Sequence, residues 1–408
     1  MRTRGTSVRR RAATAAVAAA LIAAPGAAAR QPEPPVPTVP PLPLELRGPS
    51  VVAAGVSFVV HGRHAAAGER VRIEVRVRSR WARLATARAD RDGDFARKVR
   101  PHRIRPRYVM RARSPGSGAR SPRLRVRSRN VTLAAVGDIN LGDGPGALIG
   151  AFGPRYPWTG VARSLRSRDV AFGNLECAVS TRGFPVPKEF NFRGSPSALR
   201  PVALFAGFDV LNLANNHTGD FGTAALLDTV RHVRELGMRA AGAGGSIGSA
   251  SEPRVVERLG LRIAFVGFSD ILPASFFAGP NRAGTQQATV PAIESGVRRA
   301  RRRADVVIAT FHWGVERDTH ENARQRAFAD AALRAGATAV IGAHPHVLQP
   351  IRRNGHRLVA YSLGNFVFSA GSPGTTSTGI LTLALSRRGV ERSGFLPARI
   401  VAARPRLR

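Results

Sequence analysis

Over the last two thirds of the chain, short apolar runs alternate with stretches of helical periodicity. The runs 131–136, 209–213, 261–267, 305–311, 339–341 and 357–361 are rich in Val, Ile, Leu and Ala and are bounded by turn residues. Such runs read as strands buried on both faces. Residues 224–236 and 321–335 repeat apolar positions at the spacing of a helix with one covered face. This alternation predicts an α/β domain over 130–408. The runs 379–385 and 393–402 read as an antiparallel pair at the edge of its sheet.

Upstream the period changes. Residues 71–78 alternate apolar and charged positions strictly, the pattern of a strand with one covered face. Further strand-like runs lie at 57–60, 81–84, 108–112 and 124–126, separated by turn clusters at 90–94 and 115–118. Short strands at this spacing predict a small all-β, immunoglobulin-like sandwich over 44–129. Residues 30–43 are proline-rich and read as a semi-rigid tether. Residues 1–29 have the plan of an export signal: arginines at 2, 4 and 9–11, an apolar stretch 12–24, and Ala27-Ala28-Ala29 before a cleavage point. A retained N-terminal anchor is the alternative, although the apolar stretch is short for a span.

Charge narrows the choice of partner. The formal net charge is +37, and all but two of the basic residues, Lys98 and Lys188, are arginine. Between 61 and 129, 22 Lys and Arg face 5 Asp and Glu, so the β module carries much of the excess. A field of that sign attracts polyanions: an acidic envelope or capsule polymer, or an anionic membrane surface. No aromatic-rich RNA-binding signature, zinc finger or helix-turn-helix accompanies it, so specific nucleic-acid binding is not expected. The single cysteine, Cys177, excludes an internal disulfide.

The candidate chemistry sits where the strands end. Asp138 follows the run at 131–136, Glu176 closes Gly173-Asn174-Leu175-Glu176, and Asn216-His217 follows 209–213. His312 ends 305–311, and His344-Pro345-His346 follows 339–341. In an open α/β sheet, strand ends at one edge meet in a crevice. A set of carboxylate, carboxamide and imidazole groups suits divalent transition metals, and its size suits two of them. Lys188 and Arg193, in the loop 184–194, are candidates to rim the site and hold an anionic substrate.

These segments resemble a known family. Gly137-Asp138-Ile139, Asn174-Leu175-Glu176, Asn215-Asn216-His217, His312-Trp313-Gly314, Gly342-Ala343-His344-Pro345-His346 and Tyr361-Ser362-Leu363-Gly364-Asn365-Phe366 are similar, in order, to the signatures of the CapA family of capsule synthesis proteins. That family is named for poly-γ-glutamate capsule synthesis and is related to the calcineurin-like metallophosphoesterases. The resemblance covers about residues 130–390. It implies a four-layer α/β/β/α sandwich with a dinuclear centre of Mn, Fe or Zn. Asp138 and His346 would bind the first metal, Asn216, His312 and His344 the second, with Glu176 bridging. His217 would donate to an oxyanion. Two positions depart from the wider phosphoesterase pattern: Asn140 stands where a histidine is usual, and Asn174 where an aspartate is usual. Both bear on the first metal more than the second.

Two functions follow. One is an exported enzyme acting on an envelope or capsule polymer by metal-assisted hydrolysis or transfer. The other is a non-catalytic envelope protein that binds and anchors an acidic polymer. Both place the protein outside the cytoplasm, and oligomeric state is left open. A cleaved signal predicts a mature chain beginning near Arg30; N-terminal sequencing of secreted protein that finds Met1 intact identifies a retained anchor instead.

Overall fold

The strand Val131–Ile139 is buried along almost its whole length, as its uninterrupted apolar sequence requires. It pairs in parallel with Val170–Leu175 on one side and antiparallel with Ser377–Ser386 on the other. Around it an eight-stranded sheet extends through Val210–Asn212 and Arg239–Ala241 in one direction, and through Gly389–Val401 and Arg404–Leu407 in the other. A six-stranded sheet is built on parallel Leu261–Ser269, Val306–His312, Ala339–Ala343 and Arg357–Ala360, with an antiparallel strand at each edge. This computed structural model describes residues 42–101, 104–271 and 273–408. The signal at 1–29 and nearly all of the tether at 30–43 lie outside the described residues.

Three apolar clusters hold these elements. The first draws Leu133 and Phe172 from the larger sheet and Ile263, Phe265 and Ile308 from the smaller. Phe172 and Phe265 stack there with ring centroids 5.5 Å apart. The second cluster packs Leu226, Val230 and Val233, from the helix Gly222–Glu235, with larger-sheet residues such as Leu211 and Ala171. The third packs Ile293 and Val297 of Val290–Arg301, and Phe328 and Ala332 of Ala323–Arg334, with Val307 and Val340. Each fully buried Leu, Ile or Phe contributes about 2 kcal/mol of transfer free energy. The chain is thus a mixed α/β protein, as the alternation of runs predicts.

The C-terminal pair sits differently from the sequence expectation. Ser377–Ser386 is not at an edge but beside Val131–Ile139, where Ile380, Leu381, Leu383 and Leu385 are all buried. A strand apolar on both faces belongs inside a sheet. The edge falls to Arg404–Leu407, whose arginines and Pro405 suit an unpaired side.

Between residues 44 and 129, the strands form a three-stranded and a five-stranded sheet. The expected alternation at 71–78 holds only as far as Ile73. Opposite Ile73 and Glu74 the partner strand Arg80–Arg88 carries one extra residue, Leu84, and Glu74 is buried on the outer face, where its cross-strand neighbour Arg111 meets it at 2.7 Å. Downstream of the bulge, Val77 is left exposed. Apolar residues of this region, Val52, Val56 and Val71 among them, join the same buried cluster as Leu261 and Ile263.

Backbone bonds fasten this region to the α/β part: Ala53 N–H donates to Leu259 O at 2.8 Å, and Arg387 N–H to Ala54 O at 3.1 Å. Arg129 adds a two-pronged contact to Asp169, both bonds at 2.6 Å, and Thr132 donates to the same carboxylate. Burial alone would raise the Asp169 pKa, but Arg129 and Thr132 outweigh it and hold the group down at about 2. A carboxyl lowered in the folded state stabilises above its unfolded pKa and loses that contribution as pH falls through its folded pKa. Asp169→Asn is therefore expected to cost about 1 kcal/mol at neutral pH and to flatten stability against pH between about 4 and 2; urea unfolding across that range reads both.

Candidate metal centre

The parallel strands of both sheets deliver the candidate ligands at their C-terminal ends. Asp138 lies at the end of Val131–Ile139, Glu176 just past Val170–Leu175, and Asn216-His217 in the turn after Val210–Asn212. His312 ends Val306–His312, and His344 and His346 follow its neighbour Ala339–Ala343. Close backbone approach brings the loop 361–365 onto this edge. Asp138 N–H donates to Gly364 O at 2.9 Å, and a Cβ on Gly137 would fall on that carbonyl oxygen. His344 and His346 hold positive φ, 97° and 60°, around Pro345. Non-glycine residues so placed cost roughly 1–3 kcal/mol each and persist only where surrounding structure imposes them.

The side chains converge. Glu176, His344 and His346 each offer one ligand atom, all within 4.8 Å of one another, and so do Asp138, Glu176 and His312. His346 Nδ1 is 3.3 Å from Asp138 Oδ2 and 2.9 Å from Asn365 Oδ1. His312 Nε2 is 2.7 Å from Asn216 Oδ1 and 3.3 Å from Glu176 Oε1. All six residues assigned to metal from the sequence thus share one locus, with Glu176 at its middle. Asn174 braces them: its amide nitrogen lies 2.8 Å from Asp138 Oδ1 and 3.2 Å from His312 Nδ1, and its oxygen accepts from Asn212 at 2.8 Å. Asn140 turns away, accepting from Gly142 N–H at 2.7 Å.

This donor set fits divalent cations. Both carboxylate oxygens of Glu176 and Nδ1 of His344 are buried without a hydrogen-bond partner. Such atoms are costly unless a cation meets their lone pairs. Burial, then the Asp138 charge, push the Glu176 pKa well above the ordinary carboxylate range. Burial, then His346, bring His344 down to about 3, and burial with His344 and His346 takes His312 well below the usual imidazole value. Neutral imidazole is the form that binds metal. His346 goes the other way: burial lowers it, but the Asp138 carboxylate more than compensates. Cys177, next to Glu176, is pushed up to about 12 by burial, so it stays a thiol.

His217 stands beside this locus. Its Nε2 is 4.0 Å from Glu176 Oε1, and its Nδ1 is 2.6 Å from Asp220 Oδ2. Phe192 stacks on the ring at 4.0 Å. Burial lowers the His217 pKa, and Asp220 opposes that. Asp220 is absent from the sequence-based site because it reads as a turn residue; the signal that could have found it is its position three residues after His217. Lys188, expected to meet substrate, instead spends its ammonium on Asp220 Oδ1 and Asn216 O, each at 2.6 Å. It positions the turn that carries Asn216 and His217. Arg193 is also tied to protein: it donates to Gly183 O at 2.8 Å and lies over the Phe221 ring, 3.6 Å from its centroid. The structure brings Arg193 to the loop 182–183 and not to the metal ligands.

Comparison with known proteins places the ligand-bearing region within a known family. The family profile described as bacterial capsule synthesis protein PGA_cap matches residues 132–370. The PGA biosynthesis protein CapA of Bacillus subtilis (strain 168) is 32% identical over 291 residues, 70% of this chain and 76% of that protein. The capsule biosynthesis protein CapA of Bacillus anthracis is 29% identical over 287 residues, 68% of this chain and 70% of that protein. Among solved structures, the NAD nucleotidase (NadN) of Haemophilus influenzae aligns with a TM-score of 0.40 at 11% identity, over 66% of this chain and 56% of that one, a likeness too low to bear on the argument.

The Lys188–Asp220 contact yields a direct measurement. Asp220 is fully buried, and the Lys188 side chain is 19% exposed. Removing one partner of such a pair leaves an uncompensated charge, so Lys188→Met is expected to destabilise by about 3 kcal/mol in urea unfolding. A loss below about 1 kcal/mol would place the ammonium in solvent, free for a ligand.

Proposed function

The chain belongs to the PGA_cap family of bacterial capsule synthesis proteins, and from that premise we propose that it is an exported protein acting on an anionic capsule or cell-envelope polymer by metal-assisted hydrolysis or transfer. The observation that carries this reading is Glu176: a buried carboxylate with both oxygens unpartnered, ringed by His312, His344, His346 and Asp138. We read the two sheets and their helices as the four-layer α/β/β/α sandwich of the metallophosphoesterases, and residues 44–129 as an immunoglobulin-like module. The three apolar clusters, one drawing on both sheets and one on each sheet with its helices, support the layering.

Asp138, Glu176 and His346 would hold one cation, and Glu176, Asn216, His312 and His344 a second, of Mn, Fe or Zn type. Two such cations would supply a water-derived nucleophile at neutral pH and neutralise charge developing on substrate oxygens. The chain's own residues do the rest. His217 turns Nε2 toward the locus because Asp220 accepts from Nδ1–H; the ring donates from Nε2 to an oxygen lying there as the imidazolium, the form that the Asp220 carboxylate favours against burial. Phe192 covers one face of its ring and keeps water from it. Asn174 fixes Asp138 against His312.

A second reading, a non-catalytic protein that anchors an acidic polymer, is favoured by one observation. Asn140 accepts from local backbone, and Asn174 spends its amide on its neighbours, so neither adds a ligand to the first cation. Metal content separates the two. Elemental analysis is expected to find two divalent ions per chain in the parent and at most one in Glu176→Ala, with phosphodiester hydrolysis by the parent abolished by chelator. Unchanged stoichiometry in Glu176→Ala overturns the bridging role. Full metal content with no hydrolysis favours the anchoring protein.

A further inference from the structure

Far from the metal centre, a cavity of about 1080 Å³ opens where the β module meets the α/β part. Arg100 enters it from the module, Arg262 and Arg301 from the smaller sheet and its helix, and Arg387 and Arg388 from the turn after Ser377–Ser386. Among the described residues, Asp305 is the one acidic residue in that lining. A second hollow of about 390 Å³ shares Ile104 with the first and adds Arg105 and Arg392. Because Ile104 borders both, the two hollows adjoin along the seam.

The walls are fixed. Ala53 and Ala54 are bonded across the seam to Leu259 and Arg387. Gly55, at φ +82°, leaves so little room that a Cβ there would sit 3.2 Å from Ile104 Cδ1 and 3.4 Å from Arg387 Cβ. Backbone already tied across the seam need not be ordered when a ligand binds. The seam lies at the starts of Leu261–Ser269 and Val306–His312, whose far ends reach the metal ligands. At about 3.3 Å per residue the two places are about 20 Å apart.

The lining names its ligand by chemistry. One carboxylate already sits among the guanidiniums: Asp305 is 3.2 Å from Arg387 Nε and 3.8 Å from Arg262 Nε. Arg100 is exposed and has no acidic partner among the described residues. Arg388 is likewise taken up by Glu391, with both bonds at 3.1 Å, so Arg100 and Arg301 are the lining arginines without a carboxylate partner among the described residues. Guanidinium groups pair two-pronged with carboxylates, and neighbouring ones repel until an anion arrives. Among the described residues no aromatic ring lines the larger cavity, so a nucleic-acid base would find none of them to stack on. We propose that this seam is a second binding site, separate from the metal centre, for a linear polymer bearing regularly spaced carboxylates. The site would hold the polymer whether or not the metal centre is catalytic.

Binding of fluorescent poly-L-glutamate to the full chain, in chelator and across a salt series, tests it. Arg100→Ser with Arg262→Ser is expected to lose tenfold or more in affinity, and the slope of log affinity against log salt is expected to fall by about two, one per lost charge contact. Arg200→Ser with Arg234→Ser removes the same charge from exposed helical positions and is expected to lose less than twofold. Arg100→Glu alone, at an exposed and unpaired position, is expected to move affinity in the same direction if the double variant does not fold. Equal losses in the seam and control variants overturn the site in favour of general surface charge. Binding that disappears in chelator assigns the polymer to the metal centre. Inorganic polyphosphate of matched charge that displaces poly-L-glutamate at lower concentration overturns the carboxylate assignment.

Discussion

The constraint on which the rest depends is the desolvated carboxylate of Glu176. A lone carboxylate away from water costs far more than a fold of this size can spare, unless it is protonated or faced by positive charge. The chain surrounds Glu176 with imidazoles, two of which, His312 and His344, are kept neutral by burial. Neither sheet alone assembles this ring: Asp138 and Glu176 come from the larger, His312, His344 and His346 from the smaller. Packing Phe172 on Phe265 therefore does more than fill space. It sets the distance at which the two ligand groups meet.

Much of this was legible in the sequence, because strand ends are easy to read when buried runs stop abruptly at polar residues. Asp138, His312 and His344 each close or follow such a run, and topology did the rest. The helices at Gly222–Glu235 and Ala323–Arg334 fall within a few residues of the periodic stretches at 224–236 and 321–335. The supporting groups were harder. Asp220 and Asn365 act through single long-range or turn contacts that leave no period in the chain. Lys188 and Arg193 looked like rim residues because a charge in a loop reads as exposed. In the folded protein one is consumed by a buried carboxylate and the other by a carbonyl and an aromatic face.

The β region taught a similar lesson. Strict alternation at 71–78 implied one apolar and one charged face, and Arg72 and Arg76 are exposed as that implies, but Glu74 between them is buried. It is covered on that face by its cross-strand neighbour Arg111, which in turn lies over the Trp81 ring. No local pattern announces a pair 37 residues apart. The placement of Ser377–Ser386 inside the sheet has the same origin: its two-sided apolarity was visible, whereas its neighbour was not.

The near-absence of lysine has a practical corollary. The chain carries two, and Lys188 is locked into the turn beneath His217. Lys98, exposed on the strand Phe95–Val99, is thus the one accessible side-chain amine among the described residues. Reagents that acylate lysine side chains would find there a single handle, apart from the α-amine, on the opposite strand system from the metal ligands. A dye, surface or crosslinker coupled through it would hold every molecule in one orientation, with the metal-binding crevice left untouched.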